Sequence, residues 1–345
     1  MAGDETEAAL PPLYHACMAD DRGLVKKLLV DGADPNDGES VYHAAQLNRR
    51  ECLEILLAHG ADLSGRNATY RNTPLYFLAG HHVGDGNAAT AFLGMRWLLE
   101  HGADPNVTSE DADETPLQCL ARNGWGHEAA ELFLAHGADP NLRRADGRSA
   151  FLLALRSGNA AMAAALRDRG ADTTEVTPVD ELLGACVTAD ASKARAILAA
   201  HPGLIRALSK EDHGSSVQAV YGEGADSLRL MAELGFDLAV EGPWGGTPLH
   251  HAAWLGNAAL VRLLVALGAP VNVRDSRFGS SPIAWAAHGS TNNGNIANAD
   301  YPAVVGLLLD AGSERAASLN RWKEPPERLA STEVEQLLRA RGFAP

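Results

Sequence analysis

The sequence predicts an all-α solenoid, a row of about ten helix–turn–helix units joined by short β-turn fingers. Three features point there. First, a hydrophobic pair followed shortly by Gly-Ala-Asp recurs, as in LLVDGADPN, ILLAHGADL, LLEHGADPN and LFLAHGADPN. The glycines of the series are Gly32, Gly60, Gly102, Gly137, Gly170, Gly235, Gly268 and Gly312, spaced by 28, 42, 35, 33, 65, 33 and 44 residues. The interval of 65 is about twice 33, so a degenerate unit is expected inside it, with HPGL in place of HGAD. Second, Thr247-Pro248-Leu249-His250-His251-Ala252-Ala253 precedes one such glycine, with shorter copies at Thr73-Pro74-Leu75, Thr115-Pro116-Leu117 and Ser281-Pro282-Ile283. Third, apolar residues between these landmarks follow helical spacing, as in Leu260, Val261, Leu263 and Leu264.

Each element of the unit has a local reason. Thr or Ser before Pro is an N-cap followed by a first-turn proline, which starts a helix. Gly256-Asn257 ends that helix and turns the chain, and Gly268 ends the second helix in the left-handed conformation. A single helix pair of this size leaves its apolar face uncovered, so stacked neighbours supply the core.

A period near 33 with several copies of TPL and GADPN resembles the ankyrin-repeat family over nearly the whole chain. The units are read as 11–36, 37–64, 65–106, 107–141, 142–173, 174–205, 206–238, 239–272, 273–313 and 314–345, one domain after a flexible acidic segment 1–10. The last, STEVEQLLRARG, reads as a polar end cap. The sixth, lacking TPL, is the expected weak point of the stack. Two insertions, His81 to Met95 and His288 to Tyr301, are rich in Gly and Asn and are expected to be loops, the stretch Ser290 to Ala299 mobile or ordered by a partner.

Composition excludes several classes. The chain of 345 residues has 29 Lys plus Arg against 44 Asp plus Glu, a formal charge of −15, which opposes phosphate backbones and anionic membranes. No apolar run reaches the length of a membrane span, and no basic, apolar leader opens the sequence, so a cytoplasmic protein is expected. The separated cysteines Cys17, Cys52, Cys119 and Cys186 read as buried thiols. No dinucleotide, P-loop, zinc-protease or nucleophile-elbow motif occurs, so neither a cofactor nor a metal is expected.

The resemblance implies a groove lined by the fingers and first helices. Trp244 and Phe278 fall at finger positions, and Trp254 and His288 follow the Ala-Ala pair of adjacent units. Large aromatics at such places are interface anchors unless they fill the stack between units, the alternative for Trp254 and Trp285. Tyr221, Glu223 and His213 lie in a seventh unit where SSVQAVYGEG replaces the family pattern, and with Trp254 and His288 they offer material for a small-molecule site. Arg122 and Arg156 on first helices and Arg148 on a finger form an expected basic stripe. His250, in the TPLH position, is expected to be structural, as are His59, His101 and His136 at helix ends. The leading expectation is a monomeric, non-catalytic scaffold for a partner protein. A small-molecule binder or unconventional enzyme, and an acidic inhibitor of a basic partner, are the alternatives.

Overall fold

The computed structural model describes residues 10–68, 70–81, 87–221, 224–242, 245–293, 296 and 298–343. It divides into two compact units, Met1–Val176 and Thr177–Pro345. The first holds α1 (Pro12–Met18), α2 (Arg22–Val30), α3 (Ser40–Gln46), α4 (Arg50–Ala58), α5 (Pro74–Ala79), α6 (Ala88–Glu100), α7 (Pro116–Arg122), α8 (His127–Ala135), α9 (Ala150–Arg156) and α10 (Ala160–Asp168). The second holds α11 (Pro178–Val187), α12 (Ala191–Ala200), α13 (Leu204–Ala207), α14 (Lys210–Gly214), α15 (Ser216–Tyr221), α16 (Ala225–Leu234), α17 (Pro248–Trp254), α18 (Ala258–Ala266), α19 (Pro282–Asn292), α20 (Tyr301–Asp310), a 3-10 turn (Ala316–Ser318), α21 (Pro326–Leu329) and α22 (Thr332–Ala340). In each unit the first helices pack in one row, such as α1, α3, α5, α7 and α9, and the second helices in another. The core lies between the rows, with Leu13, Leu53, Leu78, Leu98, Leu120 and Phe133 fully buried in the first unit. Leu182, Leu228, Leu249, Val261, Ile283 and Val304 do the same in the second.

The expected start and stop chemistry operates at atomic level. Thr73, Thr115, Ser149 and Thr177 accept from the backbone N–H three residues on. At the far end Gly32 has φ +97°, and Ala33 N donates to Leu28 O while Gly32 N donates to Leu29 O. This pairing, repeated at Gly60, Gly102, Gly137, Gly170 and Gly268, satisfies the last carbonyls of each second helix. The asparagine of GADPN then ties neighbours together. Asn36 Nδ2 donates to Gly60 O and its Oδ1 accepts from Asp62 N; Asn106, Asn141 and Asn272 repeat the clamp on the unit that follows. The fingers are closed by backbone bonds rather than strands, with isolated bridges at Ser109–Glu114 and Arg143–Ser149 and an Asp275 N to Ser280 O bond of 2.9 Å.

Four sequence expectations change. The stretch Ala88–Met95 is not loop but the start of α6, with Ala88, Ala91 and Met95 buried at helical spacing. Its Gly94 lies so close to α3 that an added Cβ would stand 2.0 Å from Ala45 O. The second insertion is also largely structured: α19 continues to Asn292, Ser290 Oγ accepts from Ser331 N, and Asn293 Nδ2 and Tyr301 Oη both donate to Trp254 O. Residues 294, 295 and 297 fall outside the described residues. The sixth unit keeps the helix start, because Thr177 and Asp180 form a reciprocal cap around Pro178. The seventh begins its first helix earlier than SSVQAVYGEG implies. Ser209 and Asp212 form the reciprocal cap, and that helix is broken into α14 and α15. Among the described residues no helix is long and apolar enough to cross a membrane.

Candidate functional site

The position between His and Ala-Ala in the TPLHxAA pattern shares a helix face with the residue three places later. In α17 these are His251 and Trp254, and in α19 Trp285 and His288. The first helices pack side by side, so four rings from two elements meet. Trp285 is the hub, with ring centroids 5.2 Å from His251, 5.3 Å from His250, 6.4 Å from Trp254 and 5.9 Å from Phe278. Trp254 in turn lies 5.6 Å from His288. His288 and Phe278 are exposed, and Trp254 and Trp285 are partly buried.

The cluster is held from below. Asp275 is buried, and its carboxylate accepts from Arg277 N, Phe278 N, Ser280 N and Trp285 Nε1 at 2.6–3.0 Å. One side chain therefore sets both the finger that carries Phe278 and the plane of Trp285. Tyr221 Oη donates to His251 Nδ1 at 2.8 Å, and His251 Nε2 donates to Gly245 O at 2.7 Å. This hydrogen-bond pattern assigns the neutral tautomer. His250 beneath it is fully buried; its Nδ1 accepts from Thr247 N and its Nε2 donates to Ser280 O. Burial pushes the His250 imidazole down to about 4 and lowers His251 as well, so both are neutral near pH 7.

The remaining sequence candidates are dispersed. Glu223 and Trp244 lie outside the described residues. Tyr221, on α15, joins the cluster through His251, whereas His213, on α14, accepts from Asp237 N and packs its ring on Phe236. Arg122 is not on an open basic stripe. Its Nη2 donates to the buried Glu114 at 2.9 Å, and Arg144 Nη1 donates to the same carboxylate at 2.6 Å. Burial works against the Arg122 charge, but Glu114 outweighs it and holds the guanidinium ionised. Arg148 pairs with Asp146 at 3.3 Å, and Arg156, at the end of α9, is partly buried. Glu114, shared by Arg122 and Arg144, and Asp146, paired with Arg148, thus absorb positive charge that the sequence alone places at a surface. Among the described residues no group of three His, Cys, Asp or Glu side chains is placed to hold a metal ion.

Two ring positions lie outside the site candidates that the sequence offers: His251, and Trp285, which reads from sequence mainly as stack filling. A parallel row in the first unit escapes the sequence reading entirely. There Tyr14, His43, Phe77 and His81 make successive ring contacts at 5.0, 5.4 and 5.6 Å, and Gln46 Nε2 bonds His81. The available signal is the register: His43 and Phe77 occupy the same x position as His251 and Trp285.

Comparison with known proteins agrees with this architecture. The family described as "Ankyrin repeats (3 copies)" matches residues 13–109 and 86–177, and "Ankyrin repeat" matches residues 244–276. Protein PhlB of Serratia liquefaciens is 43% identical over 68 residues, which is 20% of this chain and 30% of that protein. The match thus spans under a third of the length of PhlB. Repeated capped helix pairs, left-handed glycine stops and interlocking asparagines, together with these matches, establish that the chain belongs to the ankyrin-repeat family.

Proposed function

We propose that the chain is a non-catalytic scaffold that holds a partner protein against the first-helix face of α15, α17 and α19. Ankyrin repeats generally mediate protein–protein interaction, and the fold by itself chooses no partner. The observation that supports this reading is the ring cluster of Trp254, Trp285, His288 and Phe278, in which His288 and Phe278 are exposed and both tryptophans only partly buried. Aromatic side chains supply large contact areas at low entropic cost, and centrally placed tryptophans dominate many interfaces. The buried Asp275 fixes the cluster before binding, so little ordering is left for the partner to impose. Four buried free thiols suit a reducing compartment such as the cytoplasm.

The test is affinity capture from cells of the source organism, with mass spectrometry of proteins and small molecules in the eluate. The bait is the full chain, or its Trp254→Ala, Trp285→Ala or Arg262→Gln variant, the last on α18. The proposal expects a protein retained by the unaltered chain and by Arg262→Gln, and lost from both tryptophan variants. Identical captures across all four baits contradict it, and a small molecule lost with the tryptophans in place of a protein favours the pocket reading.

A further inference from the structure

Two neighbouring fingers of the 177–345 unit depart from the acidic character of the chain. One carries Arg274, Arg277 and Phe278, and the other Arg321, Trp322 and Lys323. They are joined: Arg321 N donates to Phe278 O at 2.7 Å, and Arg274 donates from Nε to Gly279 O and from Nη2 to Leu319 O. Arg274 is therefore a brace between the fingers. Arg277 and Arg321 have a different setting, although Arg321 Nη2 also reaches the first finger, donating to Ser276 O at 3.4 Å and leaving its other N–H groups for a ligand. The Arg277 guanidinium lies 5.3 Å over the Phe278 ring, and that of Arg321 lies 5.7 Å over Trp322. Among the described residues neither has a carboxylate within ion-pair distance, although arginines elsewhere are commonly paired, as Arg71 is with Glu110 and Arg195 with Glu233. The nearby carboxylates are engaged: Asp275 is buried with four donors, Glu241 accepts from Ser276 N and Oγ, and Glu324 accepts from Asn320 Nδ2. Trp322 is 63% exposed and Phe278 36%.

We infer that these two finger tips bind an acidic, extended segment of a partner protein. Its carboxylates pair with Arg277 and Arg321, and an apolar side chain between them covers Phe278 and Trp322. A guanidinium lying over a ring is oriented and partly shielded from water, while its N–H edge stays open to a bidentate carboxylate. The complementarity is local, because a long polyanion meets the −15 charge of the whole chain beyond the fingers. Stacked units are separated by about 10 Å, and an extended segment in the polyproline II conformation rises about 3.1 Å per residue and returns to the same face every third residue, so the two acidic residues fall three positions apart. The inference rests on the scaffold reading and extends the same face, since Phe278 touches Trp285 at 5.9 Å.

The experiment selects random dodecapeptides by display on the full chain, then titrates labelled selected peptides by fluorescence anisotropy. The variants are Arg277→Gln/Arg321→Gln, Trp254→Ala and, as a control, Arg262→Gln, each checked for an unchanged melting temperature. The expected result is enrichment of acidic pairs three positions apart. Affinity should fall by at least about tenfold in the double variant, stay unchanged in Arg262→Gln, and weaken as salt shortens the screening length. Peptides without acidic enrichment that depend on Trp254 alone overturn this inference and leave the scaffold reading standing. Peptides indifferent to every variant overturn both, as does the absence of any enrichment. Equal affinity for an oligothymidylate, or a concentration-dependent dimer abolished by the double variant, overturns the assignment to a partner protein's acidic segment.

Discussion

Replacing His250 by glutamine should make the 177–345 unit less sensitive to acid without weakening it at neutral pH. His250 Nδ1 accepts from Thr247 N at 3.0 Å, and Nε2 donates to Ser280 O at 2.9 Å. Protonating Nδ1 would set its N–H against that of Thr247, leaving only the Thr247 hydroxyl, 2.9 Å away, to accept from it in a fully buried site. Its folded value of about 4 lies below the ordinary 6.5, so between those pH values the unfolded chain binds the extra proton. The stability this site contributes is complete above pH 6.5 and is lost as pH falls toward 4. At pH 4.5 the loss is on the order of 2–3 kcal/mol, since each tenfold difference in proton affinity between the folded and unfolded chain is worth about 1.4 kcal/mol. The chain already contains the substitute: at the equivalent place in α7, Gln118 Oε1 accepts from Thr115 N and Nε2 donates to Leu142 O, both at 2.8 Å. Urea unfolding of the full chain and of His250→Gln at pH 7 and 4.5 measures the difference. Fluorescence of Trp285, in ring contact with His250, reports the local transition. Every other ionisable group is present in both proteins, so the difference between them reports on position 250. Equal acid sensitivity of the two, or a loss above about 2 kcal/mol in the variant at pH 7, would refute the reasoning.

Three further outcomes follow from the packing. Gly94→Ala should destabilise severely, because its Cβ would stand 2.0 Å from Ala45 O, whereas Gly306→Ala, with nothing within 4 Å, should gain up to about 1 kcal/mol of helix stability; thermal melts of the pair check this. Glu114→Ala leaves the Arg122 guanidinium largely buried without its carboxylate and should cost about 3–5 kcal/mol in denaturant unfolding, far more than removing the exposed Glu128 beside Arg96. Among internal segments, amide exchange should be fastest near residues 174–224, above all in the short helices α13, α14 and α15; uniform protection there would contradict the reading.

Much of the fold is legible because each unit repeats its own local chemistry. Thr-Pro starts, left-handed glycines and apolar stripes act within a few residues, and they appear as spacing. What escapes depends on contacts across the sequence. Ala88 to Met95 looks like loop beside its glycines, yet Gly94 is small because α3 passes against it. The Asn-rich insertion looks free until Asn293 and Tyr301 are seen to bond Trp254 O. Arg122 reads as a surface cation until Glu114 folds beneath it. The Ser209–Asp212 cap is readable as S-x-x-D and is hidden by aligning the degenerate unit on SSVQAVYGEG. Of the ring cluster, the residues after Ala-Ala identify Trp254 and His288, but the x position that carries His251 and Trp285 joins them only once the helices are packed. Trp285 becomes the hub through its bond to Asp275, ten residues earlier on the finger, a pairing that helical spacing does not display.

The central claim is that the ring cluster serves binding more than folding. It is tested most directly by measuring, on Trp254→Ala, both the unfolding free energy and the dissociation constant for the captured partner. The account predicts a loss of about 2 kcal/mol or more in binding with less than about 1 kcal/mol lost in stability. A loss of about 3–5 kcal/mol in stability with unchanged binding would make Trp254 a packing residue and contradict the account.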